Sequence, residues 1–106
     1  MKENKFQRKV IEEIQEMLPG CMIQKADPTY IRGIPDLTIL YKDKWAMLEC
    51  KKDENADVQP CQEYYIKWAN DNSFGRFICP ENKEEVLNEL QQALRPRRKT
   101  RIPRSE

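Results

Sequence analysis

The sequence predicts a small α/β protein in which a mixed sheet carries helices on its faces. Two observations predict this class. Apolar residues recur at helical spacing in three segments, and four short runs rich in apolar and β-branched residues have the length of strands. These segments follow one another in the order α-β-β-β-α-β-α, and 106 residues are enough for one compact domain.

The first helix is predicted over residues 3–18, where apolar residues recur at intervals of four, four, three and one: Phe6, Val10, Ile14, Met17 and Leu18. Pro19-Gly20 ends this helix, because proline and glycine both interrupt helical backbone. The apolar run that follows, residues 21–25, is short enough to be the first strand.

The next two strands are predicted as a hairpin. Residues 37–41 and 45–51 are both strand-like, and Lys42-Asp43-Lys44 between them has the length of a hairpin connection. The residues just before the first of these strands, Arg32-Gly33-Ile34-Pro35, have turn chemistry. We therefore expect an antiparallel meander of three strands.

The second half of the chain predicts a helix, a strand and a last helix. Pro60 suits the first turn of a helix that continues to residue 70, and residues 74–79 form a strand. Asn82 with Glu85 three residues later resembles a capping box. The last helix then presents an apolar stripe of Val86, Leu87, Leu90 and Leu94. Because the fourth strand follows a helix, a right-handed crossover is expected to return it to the sheet.

Composition excludes several kinds of catalytic site. The chain has no histidine, which removes Ser-His and Cys-His nucleophiles and histidine-ligated zinc. Its four cysteines form no C-x-x-C pair and are interpreted as small apolar residues in a reducing cytosol. No apolar run approaches the ~20 residues that span a bilayer, and the N-terminus lacks the apolar segment of a secretory signal. We expect a cytoplasmic protein.

The net charge of +1 conceals a division along the chain. Residues 1–94 carry 13 Lys and Arg against 17 Asp and Glu, a balance of −4, whereas residues 95–106 carry 6 against 1, a balance of +5. We expect a single domain over residues 1–94 and a basic tail over residues 95–106. The tail is interpreted as a phosphate-binding segment, with a solubilising end as the alternative.

Chemistry concentrates in the predicted hairpin. On a strand, side chains two residues apart lie on the same face, so Glu49 and Lys51 project together and Cys50 points the other way. Asp36 opens the neighbouring strand, and the hairpin connection brings Asp36 close to Glu49. Two adjacent carboxylates repel unless a cation lies between them, and carboxylate oxygens suit Mg²⁺ or Mn²⁺.

This arrangement favours hydrolysis of a phosphodiester. The main-chain carbonyl of Cys50 is a candidate further ligand of the metal. The Lys51 ammonium would be a point charge beside the metal, where it could orient water or offset charge on the transition-state phosphate.

These residues resemble a known nuclease superfamily. The succession Gly33-Ile34-Pro35-Asp36, strand, turn, Glu49-Cys50-Lys51 and helix is similar to the PD-(D/E)xK superfamily. With Arg32 and Gln62 it resembles the VRR-NUC (virus-type replication-repair nuclease) branch, stand-alone members of which are often phage or prophage proteins. The resemblance covers roughly residues 3–94. It implies a restriction-endonuclease-like αβββαβ core with a C-terminal helix, and a Mg²⁺- or Mn²⁺-dependent DNA endonuclease.

The same resemblance assigns roles to individual residues. It implies Asp36 and Glu49 as metal ligands, Lys51 as the catalytic lysine and Gln62 as a hydrogen-bonding support of the site. It also implies a first-helix glutamate, for which Glu3 is preferred and Glu13 is the alternative. The expected substrate is branched DNA such as a Holliday junction, cleaved by a homodimer in phage replication, repair or recombination.

Basic residues outside the carboxylate pair are the candidates for binding DNA phosphates. They are Arg32 and Lys52 near the pair and, in the tail, Arg95, Arg97, Arg98, Lys99 and Arg101. Tyr64, Tyr65 and Trp68 are interpreted as core residues rather than base-stacking ones. Two other functions stay open: a catalytically idle DNA-binding or scaffold protein that keeps the fold, and a phosphohydrolase acting on RNA or nucleotides.

Overall fold

The computed structural model describes residues 4–27 and 29–95. In chain order the elements are α1 (Lys5–Met17), β1 (Met22–Lys25), β2 (Leu37–Tyr41), β3 (Lys44–Cys50), α2 (Pro60–Asn72), β4 (Gly75–Ile78) and α3 (Lys83–Leu94). This order is the one that the sequence predicts, and the bounds of β2 agree to the residue.

The strands form one mixed sheet in the order β1-β2-β3-β4. β1 pairs with β2 and β2 with β3 in antiparallel fashion, whereas β4 lies parallel to β3. The parallel pair follows from α2, because a crossover helix returns the chain to the starting end of the sheet. The predicted α/β class with a mixed sheet is therefore confirmed.

The core lies between one face of the sheet and the helices α1 and α3. Alternate residues of the two central strands point into it, so Leu37, Ile39, Ala46 and Leu48 are fully buried. They pack in one cluster with apolar residues of α1 and α3, among them Val10, Ile14 and Leu90. α2 covers the opposite face, where Trp45 of β3 contacts Trp68 of α2 at a ring-centroid distance of 5.6 Å. The prediction that Tyr64 and Trp68 are core residues is wrong, because both are exposed.

The β2–β3 connection fixes the register of the hairpin. Tyr41 pairs with Lys44, so only Lys42 and Asp43 form the turn, one residue fewer than predicted. Lys42 adopts a φ of 58°, in the left-handed region that tight hairpin turns require. A two-residue turn leaves one antiparallel register, and that register places the start of β2 opposite the end of β3.

The start of α3 differs from the predicted capping box. Asn82 is the N-cap residue, but its side chain makes no capping hydrogen bond. Its Oδ1 instead accepts the N–H of Cys79 at 2.8 Å, and its Nδ2 donates to the carbonyl of Phe77 at 3.2 Å. The main-chain groups at the end of β4 thus compete with the first turn of α3 for the Asn82 side chain, and the bonds that result connect β4 to the start of α3.

Candidate active site

Asp36 and Glu49 face each other where the β2–β3 ladder ends. The last paired residues are Leu37 and Leu48, so the next position on each strand is Asp36 and Glu49. The Asp36 N–H donates to Glu49 Oε1 at 3.1 Å, and the Cys50 N–H donates to Asp36 Oδ2 at 2.9 Å. Each carboxylate thus accepts a main-chain hydrogen bond from the opposite strand, which fixes both side chains.

The surroundings of this pair disfavour two negative charges. Glu49 is only 5% exposed. Burial and, second, the charge of Asp36 raise the pKa of Glu49 to about 7, against the opposing effects of Lys51 and the Asp36 N–H. Burial also raises the pKa of Asp36, although the Cys50 N–H and Lys51 partly offset it. Because the two carboxylates are close together and partly buried, a nearby cation would stabilise the state in which both are charged.

Gln62 connects Glu49 to Lys51. Its Nε2 donates to Glu49 Oε2 at 3.0 Å, and its Oε1 accepts from Lys51 Nζ at 2.8 Å. Lys51 Nζ also donates to the main-chain carbonyl of Asp57 at 2.9 Å and lies 3.9 Å from Glu49 Oε2. The ammonium group is therefore held beside the carboxylates by two fixed acceptors rather than by a direct short ion pair.

The start of α2 explains why Gln62 reaches the sheet. Pro60 occupies the first helical position, where its fixed φ and missing N–H are no disadvantage. Gln62 then stands at the third helical position, and its Oε1 accepts the Gln59 N–H at 3.0 Å. This is half of a capping box, so the bond that begins the helix also orients the amide toward Glu49 and Lys51.

Gly33 holds the turn before Asp36 against the same end of α2. Its φ is +84°, and a Cβ at this position would lie 2.6 Å from Cys61 Sγ and 2.9 Å from the Cys61 main-chain carbon. Only glycine meets both requirements without strain or displacement. The strand that carries Asp36 and the helix that carries Gln62 are thus packed directly on each other.

Sequence reasoning missed Gln7 of α1. Gln7 is 6% exposed, and its side chain hydrogen-bonds to the Cys50 thiol on the core side of β3. Burial, then the charges of Asp36 and Glu49, raise the pKa of Cys50 to about 12, so the thiol stays neutral. The signal was available, because Gln7 lies on the same helical stripe as the buried Val10 and Ile14.

The first-helix glutamates are not brought to the carboxylate pair within the described residues. Glu13 forms an ion pair with Lys83 of α3, which directs its carboxylate to the contact between the two helices. Glu3, the preferred candidate, lies outside the described residues.

The candidate phosphate-binding residues differ in their surroundings. Arg32 and Lys52, next to the turn and to Lys51, are both exposed. Arg95 is also exposed, and its Nη1 donates to the carbonyl of Met17 at the end of α1 at 3.1 Å. The other tail candidates, Arg97, Arg98, Lys99 and Arg101, lie outside the described residues.

The donor chemistry of the pair fits a hard divalent cation. Asp36, Glu49 and the Cys50 carbonyl supply only oxygen, the donor that Mg²⁺ and Mn²⁺ prefer. The hydrogen bonds from Asp36 N–H, Cys50 N–H and Gln62 use three of about eight lone-pair positions on the carboxylates. Over the described ranges, no three His, Cys, Asp or Glu side chains are arranged so that together they could hold a metal ion. Mg²⁺ typically takes one or two carboxylates and completes its shell with water and phosphate oxygens.

The fold is shared with solved structures. A protein titled "VRR_NUC domain" is 21% identical over 76% of this chain and 92% of its own, with a TM-score of 0.56. A second, titled "VRR_NUC domain protein", is 16% identical over 88% of this chain and 91% of its own, with a TM-score of 0.55. No family model and no curated protein matches the sequence.

These likenesses establish that the chain has the fold of VRR-NUC domains, which confirms the expected restriction-endonuclease-like core. Across residues 4–27 and 29–95, no helix is both long enough and apolar enough to cross a membrane.

Proposed function

We propose that the protein is a DNA endonuclease that depends on Mg²⁺ or Mn²⁺. The observation that carries this proposal is the convergence of Asp36, Glu49, Lys51 and Gln62 at the start of β2 and the end of β3. On the VRR-NUC fold, two facing carboxylates beside a fixed ammonium group are suited to phosphodiester hydrolysis. Gln62 and Lys51 come from different elements, so their contact with Glu49 is a tertiary arrangement rather than a local one.

Asp36, Glu49 and the Cys50 carbonyl would hold the metal. A divalent cation supplies Lewis-acid neutralisation of the charge that develops on the phosphate. Two hydrogen bonds fix the position of the Glu49 carboxylate. The Gln59 N–H donates to Gln62 Oε1 and orients the Gln62 amide, and Gln62 Nε2 then donates to Glu49 Oε2. Preorganised donors of this kind need no rearrangement during the reaction.

Lys51 would act on the water or the phosphate. Asp57 and Gln62 accept two of the three N–H bonds of its ammonium group. Residues 4–27 and 29–95 provide no third hydrogen-bond acceptor, so the remaining N–H would donate to a water oxygen or to a nonbridging phosphate oxygen. In either position, the ammonium group would lower the barrier as the water oxygen adds to phosphorus and gives up a proton, while the bond to the sugar oxygen breaks and that oxygen takes up a proton to leave as a hydroxyl group.

The finer substrate assignment is also a proposal. The VRR-NUC resemblance favours branched DNA, cut by a homodimer whose two sites are spaced by its symmetry, in phage or prophage replication, repair or recombination. Exposed Arg32 and Lys52 flank the site and would contact phosphates on either side of the cleaved bond.

The decisive experiment incubates the full chain with linear, nicked, flapped and four-way DNA. Each substrate is tested with Mg²⁺, with Mn²⁺ and with EDTA. We expect internal cleavage that requires a divalent ion and is fastest on a branched substrate. Absence of any product with both metals would contradict the nuclease proposal, and equal rates on linear and four-way DNA would contradict branch selectivity alone.

Substitutions at the site should separate chemistry from binding. Asp36→Ala or Glu49→Ala should abolish cleavage, and Lys51→Ala should lower turnover far more than DNA affinity, measured by gel shift beside the cleavage assay. Glu54→Gln is a matched control, because Glu54 is an exposed carboxylate of the loop after β3. Circular dichroism verifies that each variant is folded. Near-normal cleavage by a folded Asp36→Ala variant would reject the assignment.

A further inference from the structure

A groove of about 410 Å³ lies beside the carboxylate pair. Its lining comes from the end of β1, the following turn, and the middle of β2 and β3: Gln24, Lys25, Ala26, Asp27, Tyr30, Ile31, Ile34, Thr38 and Met47. None of the residues that hold Lys51 belongs to it. The groove is within the size range of pockets that bind small organic groups.

The groove continues the sheet face that carries the carboxylates. Thr38 pairs with Met47 across β2 and β3, two positions along each strand from Asp36 and Glu49. Side chains two positions apart share a face and are separated by roughly 7 Å. Gln24 of β1 pairs with Thr38 and so extends the same row. A chain of nucleotides bound at the carboxylates would therefore pass over this groove.

The lining selects a neutral planar group rather than a phosphate. Ile31, Ile34 and Met47 provide apolar walls. Asp27 adds a carboxylate whose pKa is lowered by two hydrogen bonds from Thr29, and Lys25 adds one ammonium group, so the lining has no net positive charge that would attract a phosphate. Tyr30 lies in the lining and is 83% exposed, which leaves its ring face open for stacking.

We infer that this groove holds one unstacked nucleobase of the DNA strand that is cleaved at the carboxylates. The inference rests on the proposed function. Tyr30 stacks on the base, Ile31 and Ile34 contact its other surfaces, and the polar groups of Gln24 and Thr38 face its edge. A base inside a duplex exposes only its edges, so the occupant must leave the helical stack. The groove therefore selects DNA with an unpaired nucleotide next to the cleaved bond.

The test combines an abasic scan with tyrosine variants of the full chain. Short single-stranded oligonucleotides, each with one abasic position, are bound to wild type, Tyr30→Ala and Tyr30→Phe in EDTA, and fluorescence anisotropy gives Kd. Tyr64→Ala is the matched control, because Tyr64 is another exposed tyrosine, 63% accessible, that lies outside the groove lining. Because binding is measured without metal, this readout does not depend on cleavage.

For wild type, we expect one abasic position to weaken binding at least about five-fold, the effect of losing one stacked base. Tyr30→Ala should weaken binding of the intact oligonucleotide to the same extent and abolish the effect of that abasic position, whereas Tyr30→Phe and Tyr64→Ala should behave like wild type. An unchanged Kd for Tyr30→Ala, or an abasic effect that persists in it, would overturn the inference.

The nuclease proposal fails on a different result. If the binding pattern is as expected but neither metal supports cleavage of any DNA, the groove binds a base and the catalytic assignment is wrong. If cleavage occurs while the abasic scan is flat, the active site stands and the groove proposal falls.

Discussion

The antiparallel pairing of β2 with β3 stops at Leu37 and Leu48, and the next residue on each strand, Asp36 and Glu49, has a carboxylate side chain. Asp36 and Glu49 replace the next ladder hydrogen bonds with side-chain ones, since each accepts an N–H from the opposite strand. This substitution holds two acidic groups at close quarters in a partly buried place, at a cost in solvation and repulsion. Gln62 and Lys51 offset part of that cost through the contacts with Glu49.

Glu49 therefore predicts how the stability of the metal-free protein depends on pH. Its pKa is about 7 when folded and 4.5 ordinarily, so the folded state retains a proton that the unfolded chain releases. This contribution is fully present below about pH 4.5 and is lost as pH rises through 7. In EDTA, the Tm of wild type should fall by at least about 4 °C between pH 5 and pH 8, the change that ~1 kcal/mol produces in a domain of this size.

The Glu49→Gln variant isolates this effect. It should show a shallower fall of Tm over the same pH range, because the amide does not titrate, and Glu54→Gln should retain the wild-type slope. The comparison uses slopes rather than absolute Tm values, since the amide changes the hydrogen bond with Gln62. Parallel slopes for wild type and Glu49→Gln would show that the burial of this carboxyl does not govern the pH dependence.

At the scale of elements, the approach of the Gly33 turn to α2 joins two parts of the site. Gly33→Ala should destabilise the protein by about 2–3 kcal/mol, because the residue has a φ of +84° and its Cβ would collide with Cys61. Gly20→Ala is the matched control: its φ is +91°, but nothing lies within 4 Å of the added carbon. Urea denaturation of the two variants measures the difference.

Gly20→Ala should lower the free energy of unfolding by only about 1 kcal/mol, the cost of a positive φ for a residue with a Cβ. The excess destabilisation of Gly33→Ala then measures how firmly the turn packs on the helix. It should be accompanied by slower cleavage, because displacement of α2 moves Gln62 away from Glu49 and Lys51. Equal destabilisation of the two variants would mean that the turn and the helix are not in firm contact.

Local patterns in the sequence predicted most of the elements. Apolar periodicity located α1 and α3, and a connection of hairpin length between two β-rich runs located β2 and β3. The same hairpin predicted that Asp36 and Glu49 lie together, because antiparallel pairing and a short turn leave little freedom of register. The catalytic roles of these residues remain predictions, whereas their proximity is observed.

Long-range contacts explain what the sequence did not predict. The close approach of Gly33 to Cys61 and the bond of Gln7 to Cys50 join segments far apart in the chain. The helical stripe of α1 indicates that Gln7 is buried, but no local pattern specifies which residue either Gly33 or Gln7 contacts. Asn82 had the right residue type for a cap, but strand-end groups of β4 compete successfully for its side chain. Glu13 likewise had the spacing expected of the first-helix glutamate, but it forms an ion pair with Lys83 of α3 instead of approaching the carboxylate pair.

For the molecule as a whole, charge is divided between residues 1–94, the expected domain, and residues 95–106, the expected basic tail. Residues 1–94 carry a balance of −4, so their net charge provides no long-range attraction for DNA. Residues 95–106 carry a balance of +5. Arg95 donates to the Met17 carbonyl at the end of α1. We therefore predict that the tail contributes more to DNA affinity than to catalysis.

Removal of residues 96–106 tests this separation, because the truncated chain keeps Arg95 and its contact with Met17. We expect weaker DNA binding and a flatter plot of log affinity against log salt, by about 0.9 for each phosphate of duplex DNA that the tail neutralises. The cleavage rate at saturating DNA should stay near that of the full chain, since none of the site residues is removed. Lys42→Gln, at an exposed lysine of the hairpin turn, is the control for removal of one surface charge. An unchanged salt slope would mean that the tail does not bind phosphates, and a slower rate at saturation would mean that the tail contributes to catalysis as well as to affinity.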